Sequence, residues 1–171
     1  ANWSFTNDLA LLVQAYAHFS DFERAKKILD FFAYEAKREK GWFLNAYYVD
    51  DGAPAEFVMH SGPNLWVGLA IMQYMQFTKD RSYLGLAESI AETIINLQDQ
   101  GSGGGIRGGP TGGWYSTEHN LDAYAFFNML AKATGKSIYS TAAQKAVSWM
   151  VNNTYDRKDL PVKRGKGDST I

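Results

Sequence analysis

The chain has 171 residues, 46 % of them hydrophobic, and a formal net charge of -1 from 17 basic and 18 acidic side chains. That is enough apolar material for one domain with a sizeable core, and the balanced charge offers no broad attraction for phosphate backbones or anionic lipid, so neither nucleic acid nor a membrane is expected as a partner. Cysteine is absent, which excludes disulfides, thiol catalysis and Cys-ligated zinc and leaves the compartment open, cytoplasmic or exported. No apolar run approaches the ~20 residues of a membrane span, and the N-terminus shows no signal-peptide pattern.

Apolar residues recur at helical spacing through Leu9, Leu12, Val13, Tyr16 and Phe19, then through Phe22, Ala25, Ile28, Leu29 and Phe32. This predicts a first helical hairpin within about residues 5–38, turning near Ser20 and Asp21. A long loop, GWFLNAYYVDDGAPAEFVMHSG, leads to a second hairpin within about 62–100. There Leu65, Leu69, Met72 and Met75 mark one helix, and Tyr83, Leu86, Ala87, Ile90, Ile94 and Leu97 the next, with TKDRS as the turn. After the loop DQGSGGGIRGGPTGGWYS comes a third hairpin within about 116–155. Leu121, Tyr124, Ala125, Asn128, Met129 and Ala131 mark its first helix, and Tyr139, Ala142, Ala143, Ala146, Val147 and Met150 its second, around the turn ATGKS.

The second and third hairpins align without a gap, matching Asn64 with Asn120, Tyr83 with Tyr139 and Ala87 with Ala143. A constant offset of this kind is a structural repeat. In each unit a long loop feeds the first helix and a short turn feeds the second, so stacked units gather their long loops on one rim. Loops of this length are uncommon without a function. The predicted fold class is therefore all-α: consecutive antiparallel helical hairpins of an α/α toroid, three of them present, in one domain over residues 1–171. The tail, residues 156–171, reads as another long loop in which Asp168, Ser169 or Thr170 caps a further helix. A six-hairpin barrel needs roughly twice this length, so the chain is expected to be about half of one, completed by a missing half or by self-association. The alternative is an open three-hairpin solenoid.

The stretches GPNLWVGLAIMQYMQFTKDRSYLGLAESIAETIINLQD, GGGIRGG and WYSTEHNLDAYAFF together resemble bacterial proteins of the six-hairpin glycosidase-like superfamily, whose fold is the (α/α)6 toroid. The resemblance implies a carbohydrate ligand and, as the commonest chemistry, hydrolysis by carboxylates at the rim of the inner helices. It implies no particular substrate.

The candidate site residues follow from chemistry and position. Ser116 is a plausible N-cap, which puts Glu118 in a first helical turn, where the helix dipole favours the ionised carboxylate. Asp122 lies one turn further on the same face and aligns with Trp66 of the preceding repeat, an exchange that points to the inner lumen. Glycoside hydrolysis needs two carboxyl groups, and Glu118 with Asp122, or either with Glu56, Asp50 or Asp51 of the first long loop, would supply them. Glu56 ranks above the aspartates, because Asp50-Asp51-Gly52 also reads as a simple turn. His119 is a candidate orienting group. Trp66, Trp114 and Tyr115 are candidate stacking surfaces for a sugar ring, Asn64 and Asn120 candidate polar contacts, and Arg107 a candidate partner for an acidic sugar or a rim carboxylate.

The glycine-rich stretch GSGGGIRGGPTGG lacks the pattern of a phosphate loop and suits close passage of backbone past a ligand or a neighbouring loop. His18, His60 and His119 show no metal-ligand spacing, so no metal and no cofactor is expected. The leading reading is a glycoside hydrolase-like site. Its rivals are a non-catalytic helical scaffold binding protein or glycan, and a lyase or epimerase in which Tyr115 or His119 abstracts a proton alpha to a uronate carboxylate neutralised by Arg107.

Overall fold

Each stretch with helical apolar spacing is helical in the computed structural model, which describes residues 2–98, 103–154 and 165–167. The tail residues 156–164 and 168–171, including the three possible caps, lie outside the described residues. The first hairpin is α1 (Thr6–His18) with α2 (Phe22–Asp30), which runs on into a π-helical turn, Phe31–Glu35. The second is α3 (Ser61–Thr78) with α4 (Leu84–Ile95), and the third α5 (Thr117–Thr134) with α6 (Ser137–Asn153). The first helices of the hairpins pack side by side, α1 on α3 and α3 on α5, while each second helix packs on its own partner. This is the inner and outer layering of a partial α/α toroid.

Local chemistry sets the helix ends. The Asp21 side chain accepts a hydrogen bond from Arg24 N–H (3.2 Å) at the start of α2, and Ser116 accepts one from His119 N–H (3.4 Å) at the start of α5. These are N-caps that satisfy otherwise unpaired amide donors. The two longest inner helices end alike. Lys79 after α3 and Gly135 after α5 adopt left-handed φ of 63° and 72°, with N–H groups returning to the carbonyls of Met75 and Ala131. This turn favours glycine, and Lys79 bears the steric cost of a Cβ there.

α3 lies between α1 and α5 and is apolar on nearly every side, with Leu65, Val67, Ala70, Ile71 and Tyr74 all buried. A helix that is hydrophobic all round belongs in the middle of a core. At Gly68 it comes so close to α5 that an added Cβ would sit 2.6 Å from the ring of Phe126, itself fully buried. Neighbouring repeats are clasped along their outer side by equivalent tyrosines. Tyr83 donates to Asp30 Oδ1 (2.5 Å), which Lys26 also engages, and Tyr139 donates to Glu88 Oε1 (3.0 Å), which Lys136 also engages.

The long loops are not wholly irregular. β1 (Trp3–Phe5) precedes α1; the first long loop carries the hairpin β2 (Arg38–Glu39) and β3 (Trp42–Phe43), then β4 (Ala46–Tyr48) and β5 (Pro54–Glu56). β1, β4 and β5 form an antiparallel sheet in that order, pairing Trp3 with Tyr48 and Ala46 with Glu56. β6 (Tyr115–Ser116) precedes α5 and pairs with β7 (Gly165–Lys166). Strands of two or three residues are too short to show an alternating pattern in sequence. Asp50-Asp51-Gly52 is the turn expected of it, with Ala53 N–H bonded to Asp51 Oδ1 (2.9 Å) and Gly52 at φ 70°.

Candidate functional site

The rim is held to the inner helices by one device used twice. Asn64 accepts from Phe43 N–H (2.8 Å) and donates to the carbonyls of Phe43 (3.1 Å) and His60 (2.9 Å). One repeat later, Asn120 accepts from Ile106 N–H (2.8 Å) and donates to the carbonyls of Ile106 (3.1 Å) and Ser116 (2.8 Å). These residues are 1 % and 0 % exposed, and both amide protons and the carbonyl oxygen of each are engaged. Asn64 and Asn120, expected as polar contacts for a substrate, thus spend both amide protons and one oxygen lone pair on loop backbone. α1 uses a shorter version, in which Thr6 donates through its N–H to Asn45 O (2.9 Å) and through its hydroxyl to Leu44 O (2.5 Å).

With the rim fixed, α5 brings two carboxyl groups together. Glu118 is exposed in the first turn, and Asp122, one turn below it, is largely buried. Burial, followed by the negative charge of Glu118, pushes the Asp122 carboxyl up to about 7 from an ordinary 3.8, while the neighbouring Trp66 side chain opposes part of the shift. One carboxylate oxygen, Oδ2, is buried without a hydrogen-bond partner in the structure. A buried carboxyl in this state carries a proton close to neutrality, because ionisation would place a second negative charge in a poorly solvated position. Trp66, from α3, is half-buried beside it.

The next side chain on α5 ties that helix to α3. His119 Nδ1 and Ser61 Oγ share a hydrogen bond (2.8 Å), and Ser61 is fully buried. Burial, with a smaller contribution from His60, lowers the His119 imidazole to about 4, so it is neutral across the physiological range. Gly62 lies flush against the ring: a Cβ there would stand 2.4 Å from Nε2. Trp114 closes the other side, with its ring centroid 5.3 Å from His119 and 5.9 Å from His60. Trp114 in turn lies on Gly108, where a Cβ would come within 2.2 Å of the indole. A Cβ on Gly109 would likewise meet Met59 O at 2.4 Å, and Ser61 N–H donates to Gly108 O (2.8 Å). The glycines thus let one long loop lie directly on the loop before α3.

The profile of glycosyl hydrolase family 76 matches residues 3–168. The chain belongs to glycosyl hydrolase family 76. No curated protein matches it. Among solved structures it is similar to a family 76 alpha-mannanase from Bacteroides thetaiotaomicron, at 22% identity and a TM-score of 0.75, covering 96% of this chain and 48% of that one. It is also similar to a D-mannose isomerase (13% identity, TM-score 0.85, 98% and 50% covered) and to a sugar epimerase from a ruminal bacterium (15%, 0.82, 98% and 48%). At such identities the likeness shows the fold: a six-hairpin glycosidase-like α/α toroid, of which this family 76 chain spans about half the length of its relatives.

The remaining candidates of the family 76 chain lie on the loops and strands before α3 and α5. Glu56 is half-buried on β5 and accepts from Asn45 Nδ2 (2.5 Å). Glu56 is not among the groups that shift Asp122. Asp50 and Asp51 are exposed in their turn. Tyr115 stacks on Trp149 of α6 (5.2 Å, 27°), which occupies one face of its ring, and Trp114 is sandwiched by protein as described. Arg107 is half-buried in the glycine-rich loop, bridged through its backbone to Tyr115. Among the described residues no cluster of three or more His, Asp or Glu could hold a metal ion, and no helix is long and apolar enough to cross a membrane. Sequence reasoning missed Ser61 and Gly62, although the repeat aligns them with Thr117 and Glu118 and so marked them as the first turn of the neighbouring inner helix.

Proposed function

We propose that this chain supplies an acid–base carboxyl pair for hydrolysis of glycosidic bonds, with Asp122 as the proton donor and Glu118 as its partner. The observation that carries the reading is Asp122: a carboxyl buried beside Trp66, with an unpartnered oxygen and a proton held to about pH 7, one turn from an exposed carboxylate. A carboxyl whose surroundings hold its proton to near neutrality, beside a second carboxyl group, is what acid–base chemistry on a glycosidic oxygen requires. Asp122 would protonate the departing oxygen, and Glu118 would stabilise or attack the developing oxocarbenium carbon, directly or through water. The i,i+4 spacing puts the two Cβ atoms about 5–6 Å apart, within reach of one sugar unit. Trp66, on the adjacent inner helix, would carry the ring. Because a family 76 relative is an alpha-mannanase, α-mannan is the first substrate to test.

The lyase or epimerase alternative fits less well. His119 is neutral, but its Nδ1 is bonded to Ser61 and its Nε2 faces Gly62, which leaves little room for a substrate proton. The test is reducing-sugar release from α-mannan by the intact protein. Asp122→Asn and Glu118→Gln should each reduce kcat at least 100-fold, the order expected for loss of a positioned acid or base. Full activity in both variants would refute the assignment.

A further inference from the structure

We propose that the Ser61–His119 contact is a positioning device: it sets the first turn of α5 against α3 so that Glu118 and Asp122 face the same point beside Trp66. The inference rests on the carboxyl-pair reading above and concerns how that pair is held.

Several observations converge on it. The bond joins the opening turns of two neighbouring inner helices, through side chains fifty-eight positions apart in sequence. His119 is flanked by the two carboxylates, immediately after Glu118 and one turn before Asp122, so a displacement of its ring moves both. Ser61 is the first residue of α3, and threonines occupy the equivalent first positions of α1 and α5; all three are buried. At Thr6 the hydroxyl anchors a loop carbonyl. At Ser61 the hydroxyl turns instead to the neighbouring helix. Gly62 leaves no space between its backbone and Nε2, and Trp114 covers the ring from the glycine-rich loop. An imidazole gripped on three sides and kept neutral, with Nδ1 bonded to Ser61 and Nε2 against Gly62, is suited to fixing geometry. His119 therefore acts through Glu118 and Asp122.

Three substitutions separate this role from a general one in stability. Ser61→Ala removes the bond; Gly62→Ala keeps every polar group and pushes the ring away; Ser61→Thr keeps the hydroxyl. Activity on α-mannan as a function of pH is read alongside the melting temperature, with Glu118→Gln and Asp122→Asn in parallel. Ser61→Ala and Gly62→Ala should lower kcat about tenfold with KM changed less than twofold, in line with the sensitivity of catalysis to small misplacement. They should also move the alkaline limb of kcat/KM to lower pH by about one unit, because Asp122 becomes better solvated when α5 shifts. Ser61→Thr should restore both. A merely structural bond would lower the melting temperature while leaving the limb in place, and that result overturns the proposal. If Glu118→Gln and Asp122→Asn are inactive while Ser61→Ala and Gly62→Ala match the unmodified protein, the device alone is refuted. Full activity in the two carboxyl variants overturns both it and the carboxyl-pair reading.

Discussion

Replacing Asp122 with Asn removes a carboxyl that the fold keeps protonated, and its effect on stability is set by pH. In the unfolded chain this group titrates near 3.8 and in the fold near 7. Between those values the folded state binds a proton that the unfolded state has released, so Asp122 contributes stability at low pH that is lost as pH rises to about 7. The full difference of roughly three pH units corresponds to about 4 kcal/mol. Residual contact with solvent reduces it, and about 2–3 kcal/mol is expected. Asp122→Asn should therefore gain that much on the unmodified protein between about pH 4 and 7. His119 works in the opposite direction over nearly the same window. Its folded value is depressed from 6.5 to about 4, so its contribution is present above 6.5 and is lost as pH falls. Between about pH 4 and 6.5 the fold keeps a proton on Asp122 and none on His119, the unfolded chain the reverse, and the two slopes cancel. Urea unfolding followed by tryptophan fluorescence at about pH 4, 5.5 and 7 exposes each in turn. Asp122→Asn rises relative to the unmodified protein with pH, and His119→Gln falls by about 2 kcal/mol. A constant offset for Asp122→Asn across this range would show that the carboxyl is ionised in the fold, and its role as proton donor would go with it.

Other consequences follow from packing and backbone geometry. Gly68→Ala drives a methyl into the ring of Phe126 at 2.6 Å and should cost about 1–3 kcal/mol by thermal denaturation, with partial recovery in a Phe126→Leu background. Lys79→Gly relieves a left-handed residue at φ 63° and should stabilise by about 0.5–1 kcal/mol, whereas Gly135→Ala at the equivalent turn should destabilise by a similar amount. Asn120→Ala leaves the buried N–H and carbonyl of Ile106 unpaired and should cost about 2–4 kcal/mol in urea unfolding. Hydrogen exchange at Ile106 should lose its protection in that variant.

Much of the fold is legible in the amino-acid order because helices are local. The 3.6-residue spacing in Leu65, Leu69 and Met72 or in Tyr139, Ala142 and Ala143 reports a buried face without knowledge of what buries it. The repeat adds the register between hairpins, and it carries over to details such as the matched asparagines and the matched turns at Lys79 and Gly135. Glu118 and Asp122 were legible as a pair for the same reason: four residues along a helix is a short distance in any fold. Where Glu56 lies relative to α5 was not legible in sequence, because it depends on how the 22-residue loop 41–62 folds back, and that loop forms a sheet with the segment before α1.

Residue type and period therefore determined, from sequence alone, the all-α hairpin repeat and the helix on which Glu118 and Asp122 stand one turn apart. Tertiary structure decided what surrounds those groups. Asn64 and Asn120 read in sequence as polar groups on the first turns of two helices, and only the fold shows loop backbone bonded to their amides; only the fold likewise sets Trp114 against Gly108 and two imidazoles. The acidity of Asp122 likewise belongs to no residue alone. Desolvation and a neighbouring charge are properties of the space around a group, and that space exists only once α3, α5 and the loops above them are packed together.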